Sequence, residues 1–339
     1  MATGMRKLSQ RLEEIRDRPG TPEDGAYLDC VLRAREVLTA EPESLRPMDT
    51  RGRPGGMVLL ETGIPIIVIP DLHARMDFLR TVLEEPDETG ASALERLDAG
   101  ELGIVCLGDG FHAESRAAER WQAALEEYLG GYERHAHMDE EMRESMGLME
   151  MVMELKSAYP SSFHFLKGNH ENIANEDRDG NYSFVKFAQE GPMVLAYMQR
   201  FYGEELLEQY YRFEKDLPLL AVGRNFLLSH AEPASLYPAE AVIGYRDNPD
   251  VVYGLTWTDN GEAVDGSVEL MLRHYLPEEG AVADESYYFG GHRPVRGAYA
   301  LRARGRYVQI HDPGRRVVAC LPAEGAIDLN RDIREAGGP

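Results

Sequence analysis

The sequence predicts an α/β sandwich of two mixed β-sheets flanked by helices. Three observations carry that reading. In the first half of the chain, short apolar runs alternate with stretches of helical periodicity. In the second half, apolar runs follow one another with short turns between them, as hairpins do. Five of the apolar runs also end in Asp, His or Asn, which fits strand ends converging on one centre.

The elements follow in order. Residues 1–55 form a helical extension, in which AYLDCVLRAREVL (26–38) has apolar residues at helical spacing. MVLLE (57–61) and PIIVIP (65–70) read as buried strands joined by a Thr-Gly turn, followed by a helix over 74–85 and a strand at GIVCLGD (103–109). Residues 113–157 are mostly helical. There Met138, Met142, Met146, Met149 and Met153 recur at helical spacing and predict the core stripe of one amphipathic helix. A strand at FHFLKG (163–168) precedes a mostly helical stretch to about 213. LLAV (219–222) and NFLLSH (225–230) flank a Gly-Arg turn, and YYFGGH (287–292), AYALRA (298–303), RYVQIH (306–311) and RVVACL (316–321) read as strands with hairpin turns.

Composition narrows the function. The chain has 339 residues, enough for one large or two ordinary domains, with 43% hydrophobic residues. Its 36 Lys and Arg against 59 Asp and Glu give a net charge of −23, which disfavours duplex nucleic acid as a partner. Cys30, Cys106 and Cys320 are far apart and form no CxxC pair, so neither a disulfide framework nor a cysteine zinc site is expected. No apolar run reaches the length of a membrane span, and the charged N-terminus lacks the apolar stretch of a signal peptide. A cytoplasmic protein with no membrane partner is the expectation.

The chemistry lies at the strand ends. Asp71 and His73 follow the second strand, and Asp109 follows the third. Asn169, His170 and Glu171 stand together after the fourth, and His230 and His292 end two later strands. Each of these alone also reads as a cap, a solvated loop group or a structural histidine. Together they describe one metal centre, whose mixed oxygen and nitrogen donors suit manganese, iron or zinc better than calcium or magnesium.

The order D-x-H, G-D, G-N-H-E, a strand-terminal His and a final G-H resembles the calcineurin-like metallophosphoesterase superfamily. It is most like the branch of serine/threonine phosphoprotein phosphatases and diadenosine tetraphosphatases. Leu217-Pro218-Leu219-Leu220-Ala221, Ser229-His230-Ala231-Glu232-Pro233 and Leu255-Thr256-Trp257-Thr258-Asp259 carry the same resemblance. It covers roughly residues 57–320. The resemblance implies a metallophosphoesterase domain over 56–339, with a helical insertion at about 111–160. It also implies two divalent metal ions, manganese first, with iron or zinc as alternatives. Asp71, His73 and Asp109 would hold the first ion, and Asp109, Asn169, His230 and His292 the second. A hydroxide activated by both metals would then hydrolyse a phosphomonoester, with His170 at the leaving oxygen and Glu171 supporting it. The implied partner is a phosphorylated small molecule or phosphoprotein.

The chain departs from the family pattern at Gly108-Asp109-Gly110-Phe111-His112-Ala113-Glu114, where G-D-x-x-D-R-G is expected. His112 stands in place of the acid and Ala113 in place of the phosphate-gripping arginine. Pro294 stands where other members carry a second histidine. Arg293, Arg116 and Arg75 are the candidate replacements for the arginine, and His112 reads as a substrate contact, a proton relay or a helix-start residue. His311-Asp312-Pro313-Gly314 reads as a strand end with a turn. Two rivals remain: a dinucleoside-polyphosphate or nucleotide hydrolase of the same superfamily, and a metal-binding interaction protein with impaired catalysis.

Overall fold

The computed structural model describes residues 2–276 and 286–338. In chain order its strands are β1 (Met57–Leu59), β2 (Ile66–Ile69), β3 (Gly103–Cys106), β4 (Phe163–Phe165), β5 (Leu220–Val222), β6 (Phe226–Ser229), β7 (Tyr287–Gly290), β8 (Ala300–Arg302), β9 (Tyr307–Gln309), β10 (Val317–Leu321) and β11 (Ile333–Glu335). They form a five-stranded sheet ordered β11-β10-β2-β3-β4 and a six-stranded sheet ordered β1-β5-β6-β7-β9-β8. Both sheets mix parallel and antiparallel pairs.

The sheets pack face to face because their strands alternate between two apolar environments. Val68 and Val105 of one sheet meet Leu228, Phe289 and Val308 of the other between the layers. Their neighbours Ile67, Ile69, Ile104 and Cys106 point outward under helices, as do Leu227, Tyr288 and Tyr307 on the opposite side. The helices are α1 (Ala2–Asp17), α2 (Asp24–Thr39), α3 (Met76–Glu84), α4 (Ala93–Asp98), α5 (Ala118–Leu129), α6 (Ala136–Ala158), α7 (Glu190–Phe201), α8 (Glu204–Asp216), α9 (Ala239–Ile243), α10 (Pro249–Thr256), α11 (Ser267–Tyr275) and α12 (Leu329–Asp332).

Helix α6 is the spine of the first helical layer. The five methionines of its predicted stripe are all fully buried, as core packing requires. The helix is nevertheless not amphipathic in the expected way, because its middle is covered on every side. Glu150 is buried there against Arg11 and Arg18, at 2.6 and 2.7 Å, and Lys156 bonds Glu41 and the Pro160 carbonyl. Helices α1, α2 and α8 share one core with α6.

Three sequence expectations change. The Thr-Gly turn after β1 does not make a hairpin: it carries the chain from one sheet to the other, because Val58 and Val68 both face the interior. Residues 172–189 are an irregular stretch rather than helix. Of the run β7 to β10 only β8 and β9 make the expected hairpin, since β9 pairs with β7 in parallel and β10 crosses to the other sheet. Strand β11, a short segment with no apolar run of its own, pairs with β10.

Met149→Ala removes a fully buried thioether side chain from this spine. It should destabilise the protein by about 2–5 kcal/mol, read as a lower midpoint in urea unfolding.

Candidate metal centre

Six strands deliver polar side chains to one seam between the sheets. Asp71 and His73 follow β2, Asp109 follows β3, Asn169 and His170 follow β4, His230 follows β6, and His292 follows β7. His311, just past β9, joins them. All are buried except His292, which is partly covered.

The backbone is bent to aim them. His73, Asp109, His112 and His292 have φ of 42°, 53°, 63° and 63°, a left-handed region that costs a non-glycine residue on the order of 1–3 kcal/mol. Hydrogen bonds between adjacent turns hold this geometry. The His73 and Ala74 N–H groups donate to the Asp109 and Gly110 carbonyls at 2.7 and 2.8 Å. The buried Glu171 carboxylate accepts from the N–H groups of Gly168, Asp109 and Gly110 at 2.6, 2.9 and 2.8 Å. Two glycines are required by close approach: a Cβ on Gly291 would strike Asp71 Oδ1, and one on Gly168 would strike Asp109 Oδ1.

Asp109 is the hub. Its Oδ1 accepts from the His170 N–H at 3.0 Å. Its Oδ2 lies 3.6, 3.7 and 3.3 Å from Nε2 of His73, His170 and His230. His73 Nδ1 lies 3.0 Å from the His112 carbonyl and His230 Nδ1 lies 3.0 Å from the Leu107 carbonyl. A carbonyl only accepts, so both rings carry their proton on Nδ1 and present a bare Nε2 to the seam. Asn169 Oδ1 sits 2.9 Å from His230 Nε2 and 3.0 Å from His292 Nδ1.

These residues fit a dinuclear metal site. Asp71, Asp109 and His230 offer ligand atoms within 4.8 Å of one another, and so do His73, Asp109 and His170. Burial pushes the Asp109 carboxyl well above the usual carboxylate range, and the neighbouring Asp71 and Glu171 push it further. For Asp71, burial pulls upward, but the facing rings of His311, His230 and His73, when protonated, bring it below the usual range. Burial pushes His230 down to about 4 and lowers His73 and His292, which keeps their lone pairs available. Neutral imidazoles beside crowded buried carboxylates are the donor set of a divalent cation, which would reverse the penalty at Asp109.

The remaining predicted residues divide. His112 is buried and its Nδ1 lies 2.9 Å from His170 Nδ1, while Phe184 stacks on the His112 ring and lies tilted against that of His170, with ring centroids 3.8 Å apart. Glu171 does not reach His170: its carboxylate is occupied by the three backbone N–H groups. Arg75 is pinned to the carbonyls of Asp71, Leu72, Pro313 and Arg315 at 2.8–3.2 Å. Arg116 pairs with Glu144 at 2.8 Å and Arg293 with Asp259 at 2.7 Å, both partly exposed. Arg75 and Arg116 line one cavity of about 520 Å³ together with Arg16, Arg143, Arg315 and Arg316. Phe184 and Glu114 carried no signal in the sequence, because each reaches the seam from a loop whose path depends on the sheet order.

No family model matches the sequence, and no curated protein matches it. Among solved structures, the chain is similar to a protein serine/threonine phosphatase from Saccharomyces cerevisiae, with a TM-score of 0.57, 13% identity, and coverage of 94% of this chain and 91% of that one. A cold-active protein tyrosine phosphatase matches at a TM-score of 0.48 and 15% identity over 85% and 78% of the two chains. One from a psychrophilic Shewanella matches at 0.45 and 13% over 89% and 84%. The chain thus shares its fold, two mixed sheets flanked by helices, with the yeast phosphatase. No helix among the described residues is long and apolar enough to cross a membrane.

Asp109→Asn should have opposite effects in two states. Removing a crowded buried carboxylate should raise the unfolding midpoint of the metal-free protein, and the upward shift that manganese gives the wild type should disappear. Thermal unfolding with manganese and with chelator reads both. Gly291→Ala should displace Asp71 and reduce manganese affinity at least 10-fold, on the order expected for a disturbed ligand environment, as measured by calorimetric titration.

Proposed function

We propose that this chain is a metal-dependent phosphatase that hydrolyses a phosphomonoester, with a phosphoprotein as a substrate class. The observation that carries the reading is the buried seam where Asp71, His73, Asp109, Asn169, His230 and His292 meet, in a fold shared with a phosphatase. Two divalent cations bound there, manganese first, would supply an activated water and counter the charge on the phosphoryl oxygens. Asp71, His73 and Asp109 would hold one ion, and Asp109, Asn169, His230 and His292 the other.

The protein's own groups do the rest. When His112 Nδ1–H donates to His170 Nδ1, the His170 proton sits on Nε2, 3.7 Å from Asp109 Oδ2. That N–H can donate to a leaving oxygen at the seam. His112 orients His170 without adding a negative charge, unlike the acid expected at that position. Phe184 covers the two rings and limits water beside them. Glu171 acts as a positioning residue, fixing the turns that carry Asp109 and Asn169. Arg293 can release Asp259, with which it pairs near the surface, to meet the substrate phosphate. Arg116 stands in the same relation to Glu144, whereas Arg75 serves the turn after Asp71.

A second reading, a dinucleoside-polyphosphate or nucleotide hydrolase, is favoured by the arginine-lined cavity beside Ala74, which can accept further phosphates. The cytoplasmic placement rests on the sequence.

The test is hydrolysis of p-nitrophenyl phosphate, its bis-ester, a phosphopeptide panel and diadenosine tetraphosphate, each with manganese and with chelator. The expected result is metal-dependent monoester turnover that His170→Ala lowers by about 10²–10⁴-fold while bound metal stays unchanged. A preference for the tetraphosphate would select the second reading. Metal binding without turnover on any substrate would sink both and favour an interaction protein.

A further inference from the structure

His311 reaches the seam without being one of the six ligands named above. It is fully buried at the end of β9. Its Nε2 lies 3.1 Å from Glu114 Oε2, so the carboxylate takes the ring N–H and Nδ1 is left as the bare nitrogen. Among the described residues that Nδ1 has no hydrogen-bond partner, and it faces Asp71 Oδ2 at 4.0 Å. Asp71 and a bare Nδ1 buried face to face repel each other unless a proton or a metal cation lies between them. Bonds of about 2.1 Å from a cation to nitrogen and oxygen span about that gap. Asp71, His73 and His311 offer ligand atoms that all lie within 4.8 Å of one another.

Glu114 has the geometry of the carboxylate that commonly fixes a ligating imidazole. It holds His311 through one oxygen, and its other oxygen lies 3.7 Å from His73 Nε2. Lys186 Nζ, 3.4 Å away, steadies it from the solvent side.

We propose that His311 is a ligand of the first metal through Nδ1, positioned by Glu114, so that Asp71, His73, Asp109 and His311 together hold that ion. The proposal rests on the dinuclear reading of the site and adds a ligand that this chain takes from β9. Each of the two sites then has two imidazoles, with Asp109 shared between them.

The test is manganese titration of metal-free protein by calorimetry, with bound metal counted after dialysis. Wild type should bind two ions. His311→Ala should retain one ion at wild-type affinity and bind the other at least 100-fold more weakly. Glu114→Gln should weaken that same site about 10–100-fold. Asn169→Ala should weaken the other site, and the double variant His311→Ala/Asn169→Ala should weaken both.

A second measurement needs no variant that might misfold. In wild type carrying ¹⁵N-histidine and loaded with zinc, the His311 ring should show metal on Nδ1 and a proton on Nε2. A ring protonated on both nitrogens, unchanged by zinc, would overturn the proposal and make His311 an imidazolium held between Asp71 and Glu114. Two ions at wild-type affinity in His311→Ala would overturn it equally. Wild type that binds fewer than two ions would instead overturn the dinuclear reading, and the His311 spectrum would still report whether that ring ligates.

Discussion

Asp71 and Asp109 occupy the same buried seam, and among the described residues no lysine or arginine side chain is bonded to either carboxylate. Buried acids in such proximity stay ionised together only with positive charge between them; otherwise one takes up a proton. Much of the local architecture serves that condition. The His73 and His230 imidazoles are kept neutral by burial, with Nδ1 tied to a carbonyl and Nε2 bare toward the carboxylates. The left-handed residues at 73, 109 and 292 bend the chain so that these groups face each other rather than solvent. Glu171 then locks the two turns that carry Asp109 and Asn169 by accepting three backbone N–H groups.

The sandwich is what makes such a centre possible. The strands that lead into the seam are short and largely buried on both faces, so the first residues free to turn inward are those just past their ends. Parallel neighbours β2, β3 and β4 present those ends side by side, and β6, β7 and β9 do the same on the facing sheet. His230 crosses between the sheets to the Leu107 carbonyl, joining the two sets of ends.

This explains how much of the protein could be read from its sequence. Asp71, Asp109, Asn169, His230 and His292 were legible because each directly follows an apolar strand, and the structure brings them together. The methionines of α6 were legible by their spacing, whereas the covering of that helix on all sides was not, because α1, α2 and α8 come from distant parts of the chain. The turn after β1 and the crossing to β10 were misread for the same reason: a local turn signal does not say which sheet the next strand joins. Glu171 was read as support for His170, since sequence adjacency cannot reveal that its carboxylate turns back to the peptide groups of 109 and 110. His311 was seen as a strand end, but its partner Glu114 lies 197 positions away, a separation that only the topology closes.

The cover over α6 has a consequence for synthesis. Helix α2 buries Tyr27, Val31 and Ala34 in the same core as Met149 of α6 and Tyr210 of α8. The N-terminal helices therefore leave the ribosome long before the surfaces that shelter them exist. At about 5–20 residues per second, that wait is on the order of 10 s or more. During this interval their apolar faces are open to chaperones. Helices α1 and α2 are thus made well before α6 and α8, the helices whose core they share.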